Sequence, residues 1–130
     1  MEKKITGVLI DTVSNTAEVV TLDDTLEAYY SALNCSCIDI VERTIGESEK
    51  YFTIVCDDEG LLKADPCISA VSDLWEPMLV GNLFVTDLEH DTGDLVSLPE
   101  HELEYVLDHI IFALNSRRNT IFPLLLQVGY

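Results

Sequence analysis

Basic residues are scarce in this sequence. Seven lysines and arginines stand against 24 aspartates and glutamates, so the formal net charge at pH 7 is −17. No basic side chain occurs between Lys63 and Arg117. Such a charge repels nucleic acid and anionic membranes, and it attracts basic proteins or cations. Because acidity also keeps proteins soluble, the sequence argues against direct nucleic-acid binding but leaves open whether the acids form a working surface or only confer solubility.

Long apolar runs are missing as well. No stretch approaches the ~20 apolar residues that a membrane-spanning helix needs. The start, MEKKITGVLI, has only a short apolar stretch with no small-residue cleavage site after it, so we expect no signal peptide. The four cysteines are too few for a disulfide scaffold in a chain of this size. We therefore expect reduced thiols, a cytoplasmic location and no membrane association.

Apolar residues are nevertheless plentiful, at 48% of the 130 residues. A chain of this length can bury about two-thirds of the surface that its unfolded form exposes. Disorder is therefore not expected. The length suits one domain, which we place at residues 1–130.

Several β-rich runs are separated by turn-like segments. KITGVLI and AEVVTL predict a hairpin, and CIDIVERTI and YFTIVC predict a second strand pair. In YFTIVC, Phe52, Ile54 and Cys56 should share one face of the strand. PMLVGNLFVTD predicts one further strand, in which Gly81 marks a bulge or a close backbone approach. Residues 64–78 look irregular or briefly helical, and the apolar tail IFPLLLQVGY predicts a strand, a core-covering segment or a homodimer contact.

Two helices are predicted. DDTLEAYYSAL begins with an Asp24–Glu27 capping box, and its core-facing positions should be Leu26, Tyr29, Tyr30 and Leu33. SLPEHELEYVLDHIIFALNSRR begins with a Ser97–Glu100 box and ends at two arginines that complement the helix dipole. Its apolar positions at helical spacing are Leu103, Val106, Leu107, Ile110, Ile111 and Leu114. Because alternating βαβ units are absent, we predict an α+β fold with a mainly antiparallel sheet of about five strands and two principal helices.

The stretch DLEHDTGD, residues 87–94, suggests a metal site at first sight. An EF-hand loop needs glycine at position 6 and glutamate at position 12. Counting from Asp87, the glycine is Gly93 at position 7, and position 12 is Leu98. No Cys-x-x-Cys pair is present for zinc, and His101 and His109 lie eight residues apart. We therefore predict neither a metal site nor a cofactor.

Catalytic motifs are also absent. The sequence has no Gly-x-Ser-x-Gly elbow, no recognisable Cys/His pairing and no phosphate-cradling glycine loop. A hydrolase would have to use Asp57, Asp58 or Glu59, with one carboxyl titrating near neutrality. We expect no enzymatic activity, and no residue is assigned a catalytic role.

The strongest candidate site is a set of carboxylates in the second half. Glu100, Glu104 and Asp108 recur every four residues, with about 6 Å of rise per step on a helix. Like charges at this spacing destabilise a helix slightly, and no lysine or arginine interleaves them. Such a row resembles a nucleic-acid backbone in electrostatic outline, although a solvated helix face would show the same pattern. The predicted partner-binding residues are Asp87, Glu89, Asp91, Asp94, Glu100, Glu104 and Asp108.

A second candidate class is a small-ligand-binding domain. Its pocket would be aromatic, lined by Tyr29, Tyr30, Tyr51 or Trp75. An apolar cleft with a few convergent polar groups would favour it.

The blocks CDDEGLL, GNLFV and DLVSLPEHELE, in this order, resemble the DUF3846 family of small bacterial, phage and plasmid proteins. The resemblance covers about residues 5–111. It implies a compact domain that is frequent in mobile elements, and it implies no activity and no catalytic or binding residues. Together with the charge, it suggests a non-enzymatic acidic protein of a mobile element or phage, with a basic, DNA-handling protein as its partner.

Overall fold

The computed structural model describes residues 3–58, 67–117 and 119–130. These residues form eleven strands and two helices. Their order is β1 (Lys4–Asp11), β2 (Thr16–Asp23), α1 (Leu26–Leu33), β3 (Ile38–Ile45), β4 (Phe52–Asp57), β5 (Ile68–Val71), β6 (Pro77–Val80), β7 (Leu83–Leu88), β8 (Leu95–Val96), α2 (Glu100–Asp108), β9 (Ile110–Asn115), β10 (Thr120–Leu125) and β11 (Val128–Gly129).

The strands form two sheets. The larger has the order β11-β3-β4-β7-β1-β2, with β8 beside the end of β7, and all its pairings are antiparallel. The smaller has the order β6-β5-β10-β9, in which β5 and β10 run parallel. The predicted α+β class and the mainly antiparallel pairing are confirmed. The prediction of about five strands was too low, since the described residues contain a seven-stranded and a four-stranded sheet.

Side chains of the larger sheet enter two separate cores. As predicted, Phe52, Ile54 and Cys56 point the same way, and they join the first cluster together with Val106 of α2 and Leu125 of β10. Residues on the opposite face join a second cluster under α1. Its buried members are Ile5, Tyr29, Leu33, Val55, Phe84 and Leu95. The larger sheet is therefore a central layer, with α1 on one face and α2 plus the smaller sheet on the other.

The last helix is much shorter than predicted. It spans only Glu100–Asp108, and His109 ends it with φ −101° and ψ 15°. Ile110, Ile111 and Leu114 belong instead to β9, and Arg117 lies in the turn after it. The predicted position of Arg118 lies outside the described residues. The run IIFAL fits a helical stripe and a strand equally well, and its pairing with the apolar residues of β10 decides for the strand.

The region around Gly81 also differs from the prediction. Gly81 separates β6 and β7, which belong to different sheets, so PMLVGNLFVTD is not one strand. Its φ of +75° suits a glycine at this junction. A Cβ at this position would meet no atom of the described residues within 4 Å, and the Gly81 amide donates to the Cys67 carbonyl at 2.8 Å. Upstream, Ile68–Val71 forms β5 within the segment predicted to be irregular. The apolar tail forms β10 and β11, which confirms the strand among the three alternatives left open.

Neither predicted capping box forms. Thr25 caps α1 by accepting a hydrogen bond from the Ala28 amide, and Asp24 accepts one from the Tyr29 hydroxyl. Ser97 accepts a hydrogen bond from the Thr6 amide, which ties the start of α2 to β1. Leu26 is 59% exposed although its spacing predicted a core position. No helix of the described residues has the length and apolar character that a bilayer crossing requires.

Candidate functional site

The acidic stretch after β7 is a compact turn. The Glu89 amide donates to the Asp94 carbonyl at 2.8 Å, and the Gly93 amide donates to the Glu89 carbonyl at 2.7 Å. Gly93 has a φ of +76°, which a residue without Cβ adopts at no steric cost. Because the backbone closes the turn, the side chains of Glu89, Asp91 and Asp94 are left exposed.

The carboxylates of α2 lie on its solvent side. At about 100° per residue, Glu100, Glu104 and Asp108 fall within an arc of about 80°. This arc lies opposite Val106, which is fully buried. All three carboxylates are exposed, and none of them lies within 4.0 Å of a lysine, arginine or histidine among the residues that the structure describes. The predicted four-residue spacing therefore does give a row of unpaired carboxylates along one side of the helix.

Asp87 differs from the other six candidates because a lysine neutralises it. The Lys50 ammonium donates to Asp87 Oδ2 at 2.8 Å and to Glu102 Oε1 at 2.5 Å. This Lys50 bridge joins the β3–β4 connection, the end of β7 and α2. Burial alone would lower the pKa of Lys50, but the hydrogen bonds and charges of both carboxylates outweigh it and raise the pKa. The sequence did not reveal this pairing, because Lys50 is 37 and 52 residues away from its partners.

The Lys50 bridge does not itself bring the two acidic segments to one side of the molecule. Glu102 lies about 160° around the helix axis from Glu104. The bridge therefore contacts the flank of α2 that faces away from the carboxylate row. The turn at residues 89–94 starts from that flank, whereas Glu100, Glu104 and Asp108 point outward.

A second set of contacts holds α2 against the larger sheet. The Tyr105 hydroxyl donates to the Ile45 carbonyl at 2.6 Å, and the Tyr105 ring stacks on Phe52 at 6.0 Å between centroids. His109 Nδ1 lies 2.8 Å from the Tyr105 carbonyl oxygen. These aromatic contacts fix the orientation of the helix. The role of Tyr105 was missed from the sequence because only aliphatic residues of this helix were assigned to the apolar face.

The cysteines and histidines form no cluster. Among the described residues, no group of three or more His, Cys, Asp and Glu side chains has an arrangement that could hold a metal ion. Burial raises the pKa of the Cys56 thiol to about 11, and neighbouring carboxylates add to the increase. This thiol stays protonated near neutral pH, which makes it a poor nucleophile and a poor metal ligand.

The aromatic residues proposed for a ligand pocket are dispersed. Tyr29 is 3% exposed within the second core cluster, and burial followed by its hydrogen bond to Asp24 raises its pKa. Tyr51 and Trp75 are 49% and 62% exposed on the surface. Tyr30 is half-buried on α1. The structure therefore does not bring these four side chains together around one cavity.

A cavity of about 230 Å³ lies elsewhere, between the end of β4 and β6. Asp57 is buried at its rim and Asp58 is exposed, while Glu59 lies outside the described residues. Its wall is mostly aliphatic. The lining residues are Cys56, Asp57, Asp58, Pro77, Met78, Leu79 and Val80.

Comparison with known proteins identifies the family. No curated protein and no solved structure gives a significant match to this chain. The model of the family described as Domain of unknown function (DUF3846) matches residues 5–111. This match covers most of the chain, including both acidic segments and the whole of the larger sheet except Lys4 and β11. The chain therefore belongs to the DUF3846 family.

Proposed function

We propose that this protein is a non-enzymatic acidic binding protein of a bacterial mobile element or phage, and that its partner is a basic, DNA-handling protein. The observation that carries the proposal is the carboxylate row of Glu100, Glu104 and Asp108. These side chains are exposed and unpaired within the described residues, although like charges at this spacing cost a helix a few tenths of a kcal/mol per pair. A partner's lysines and arginines would remove that repulsion.

Electrostatics make a basic protein the best-matched partner. A chain with a net charge of −17 repels polyanions, and it raises the encounter rate with polycations at low ionic strength. Exposed charges are screened over about 8 Å at physiological salt, so binding should weaken as salt increases. The turn carboxylates Glu89, Asp91 and Asp94 start from the flank of α2 that faces away from the row, so they would meet the partner as a separate contact. Because Lys50 already occupies Asp87, Asp87 contributes least to this surface.

The carboxylate row resembles a phosphate backbone in its regular series of negative charges, which is why we propose a DNA-handling partner. Each step between carboxylates of the row is about 6 Å along the helix axis. A groove that normally holds a phosphate backbone presents positive side chains to negative charges in series. The proposed partner surface on this chain would occupy such a groove in place of DNA.

A pair of charge-matched variants tests the proposal. Glu100→Gln, Glu104→Gln and Asp108→Asn together remove three charges from the row. The control variant, Glu18→Gln, Glu27→Gln and Glu42→Gln, removes three exposed charges on the α1 side of the larger sheet. Immobilised wild-type and variant proteins are incubated with nuclease-treated bacterial lysate across a salt series, and the bound proteins are identified by mass spectrometry.

We expect the wild type and the control to capture the same basic proteins at low salt and to release them as salt rises. The variant lacking the row should lose them. Equal capture by both variants would show that only the net charge matters, and the helix surface would then have no specific role. Failure of the wild type to capture any basic protein at low salt would refute the proposal.

The cavity between β4 and β6 supports a second candidate function, the binding of a small ligand. Its volume of about 230 Å³ and its aliphatic wall suit a fragment-sized molecule, and the two carboxylates at its rim favour a cationic one. Ligand-observed NMR with small amines tests this function, with Met78→Trp as the variant that fills the cavity. Binding to the wild type that disappears in the variant would support it, and equal binding to both proteins would refute it.

A further inference from the structure

The β9–β10 hairpin exposes more large apolar side chains than any other element of the described chain. Scattered exposed apolar residues are ordinary on a protein surface, but those of the hairpin are concentrated, with Leu114 directly opposite Ile121. Their exposed fractions are 38% for Ile111, 49% for Phe112, 67% for Leu114 and 55% for Ile121.

The outer edge of this hairpin is formed by β9. β9 is the last strand of the smaller sheet, and β10 is its only partner among the described residues. Edge strands of monomeric proteins usually carry a lysine, a proline or a bulge that blocks pairing with another chain. The sequence IIFALN has no charge and no proline, and its six-residue register with β10 is unbroken.

The amide and carbonyl groups of β9 point alternately toward β10 and away from it. The Leu126 amide donates to the His109 carbonyl at 2.7 Å, and bonded residues alternate along an antiparallel pair. Pro123, which has no amide hydrogen, lies opposite Phe112 in agreement with this alternation. The amide and carbonyl groups that point away from β10 are therefore those of Ile110, Phe112 and Leu114.

The distribution of acidic residues allows a second copy of this chain to pair with the β9 edge. All 24 carboxylates lie within residues 1–108, whereas residues 109–130 contain two arginines and no acid. Two molecules that each carry −17 repel one another over most of their surface. The hairpin is the part of the chain where two copies can meet without opposing carboxylates.

We propose that two copies form a dimer by antiparallel pairing of their β9 strands about a two-fold axis at Phe112. A two-fold axis requires one residue to lie opposite its own copy. Centred on Phe112, the pairing uses every outward group, because Ile110 bonds to Leu114 of the second copy on both sides of the Phe112 pair. This arrangement makes six backbone hydrogen bonds and joins the two smaller sheets into one.

The same register buries equivalent side chains on both copies because the interface is isologous. Across the axis, Phe112 faces Phe112 and Leu114 faces Ile110, which covers side chains that are exposed in the single chain.

Sedimentation velocity over a range of protein concentrations tests the dimer. The wild type should approach twice the 14.5 kDa mass of one chain. Phe112→Lys places a charge on the axis and should restore the mass of one chain at the same concentration. Leu74→Lys is the matched control, since Leu74 is 74% exposed in the β5–β6 connection and should leave the dimer intact.

Hydrogen exchange on the wild type provides a readout that does not depend on a variant folding. The amides of Ile110, Phe112 and Leu114 should exchange more slowly as the concentration rises, whereas the amide of Leu74 should not change. A mass of one chain at every concentration would overturn the proposal. A dimer that persists in Phe112→Lys, or whose formation leaves those three amides unprotected, would overturn it equally.

Discussion

The Tyr105 hydroxyl donates a 2.6 Å hydrogen bond to the backbone carbonyl of Ile45, which joins the middle of α2 to the end of β3. The bond holds the carboxylate row of α2 at a defined orientation on the larger sheet. Beside it, the Tyr105 ring stacks on Phe52. The hydroxyl and the ring therefore contribute separately to the position of the helix.

Tyr105→Phe should destabilise the fold while preserving the stacking. The variant keeps the ring and leaves the Ile45 carbonyl without this donor, which costs about 1–2 kcal/mol in unfolding free energy. Urea denaturation followed by circular dichroism measures the change. Tyr51→Phe is the control, because Tyr51 is 49% exposed and its substitution should change stability by less than about 0.5 kcal/mol. Equal stability of the two variants would contradict the role given to the Tyr105 hydroxyl.

Lys50→Met should destabilise the protein by leaving Asp87 and Glu102 as neighbouring, unneutralised carboxylates. The Lys50 side chain is 39% exposed, so solvent screening limits the loss to about 1 kcal/mol. Lowering the pH should restore part of the stability of the variant, because protonation of one carboxylate removes the repulsion. Denaturation midpoints at several pH values test this expectation, with Lys4→Met, at an exposed surface pair, as the comparison.

The raised pKa of Lys50 also predicts how the wild type responds to alkali. The folded state binds this proton more tightly than the unfolded chain, so its stabilising contribution is complete below the ordinary lysine pKa of 10.5. The contribution is lost as the pH rises through the higher folded value. Wild type and Lys50→Met should therefore converge in stability above that range, and a constant difference between them would contradict the ion-pair account.

The cysteines should differ in reactivity. Cys37 is exposed, whereas Cys56 is 6% exposed and its pKa is raised to about 11 by burial. Near pH 8, iodoacetamide should label Cys37 first and Cys56 last, because alkylation requires an accessible thiolate. Peptide mass spectrometry over time measures the order. In denaturant the difference should vanish, and rapid labelling of Cys56 in the folded protein would show that its strand opens readily.

Gly7→Ala should lower the unfolding free energy more than Gly93→Ala, which changes a glycine with positive φ and free space around it. A Cβ at Gly7 would lie 2.3 Å from the Val85 carbonyl oxygen and 2.9 Å from the Phe84 ring, so β1 or β7 must move. We expect a loss of about 3 kcal/mol in unfolding free energy, at the upper end for overpacking. Gly93→Ala, with φ +76° and no neighbour within 4 Å, should cost only about 1 kcal/mol. Chemical denaturation compares the two, and the reverse order would contradict the close approach of β1 and β7.

The periodicity of apolar residues and the positions of turn residues predicted those features that depend on neighbours along the chain. The β1–β2 hairpin, the faces of β4 and the helical spacing of Glu100 and Glu104 followed from the period of apolar residues and from turn residues. Solvent exposure of Glu100, Glu104 and Asp108 followed as well, because an unpaired charge is rarely buried. The prediction failed where two periods fit the same residues, as in the run IIFAL, which is β9 and not the end of α2.

Sequence alone determined the net charge, the absence of acidic residues from positions 109–130, the mixed α and β character and the family of this protein. Only the tertiary structure decided that Lys50 neutralises Asp87 and Glu102, that Gly81 separates two sheets, and that β9 is the last strand of its sheet among the described residues. The physical reason is distance along the chain. Propensity and periodicity act over a few residues, whereas ion pairs and strand partners are chosen among residues that only folding brings together.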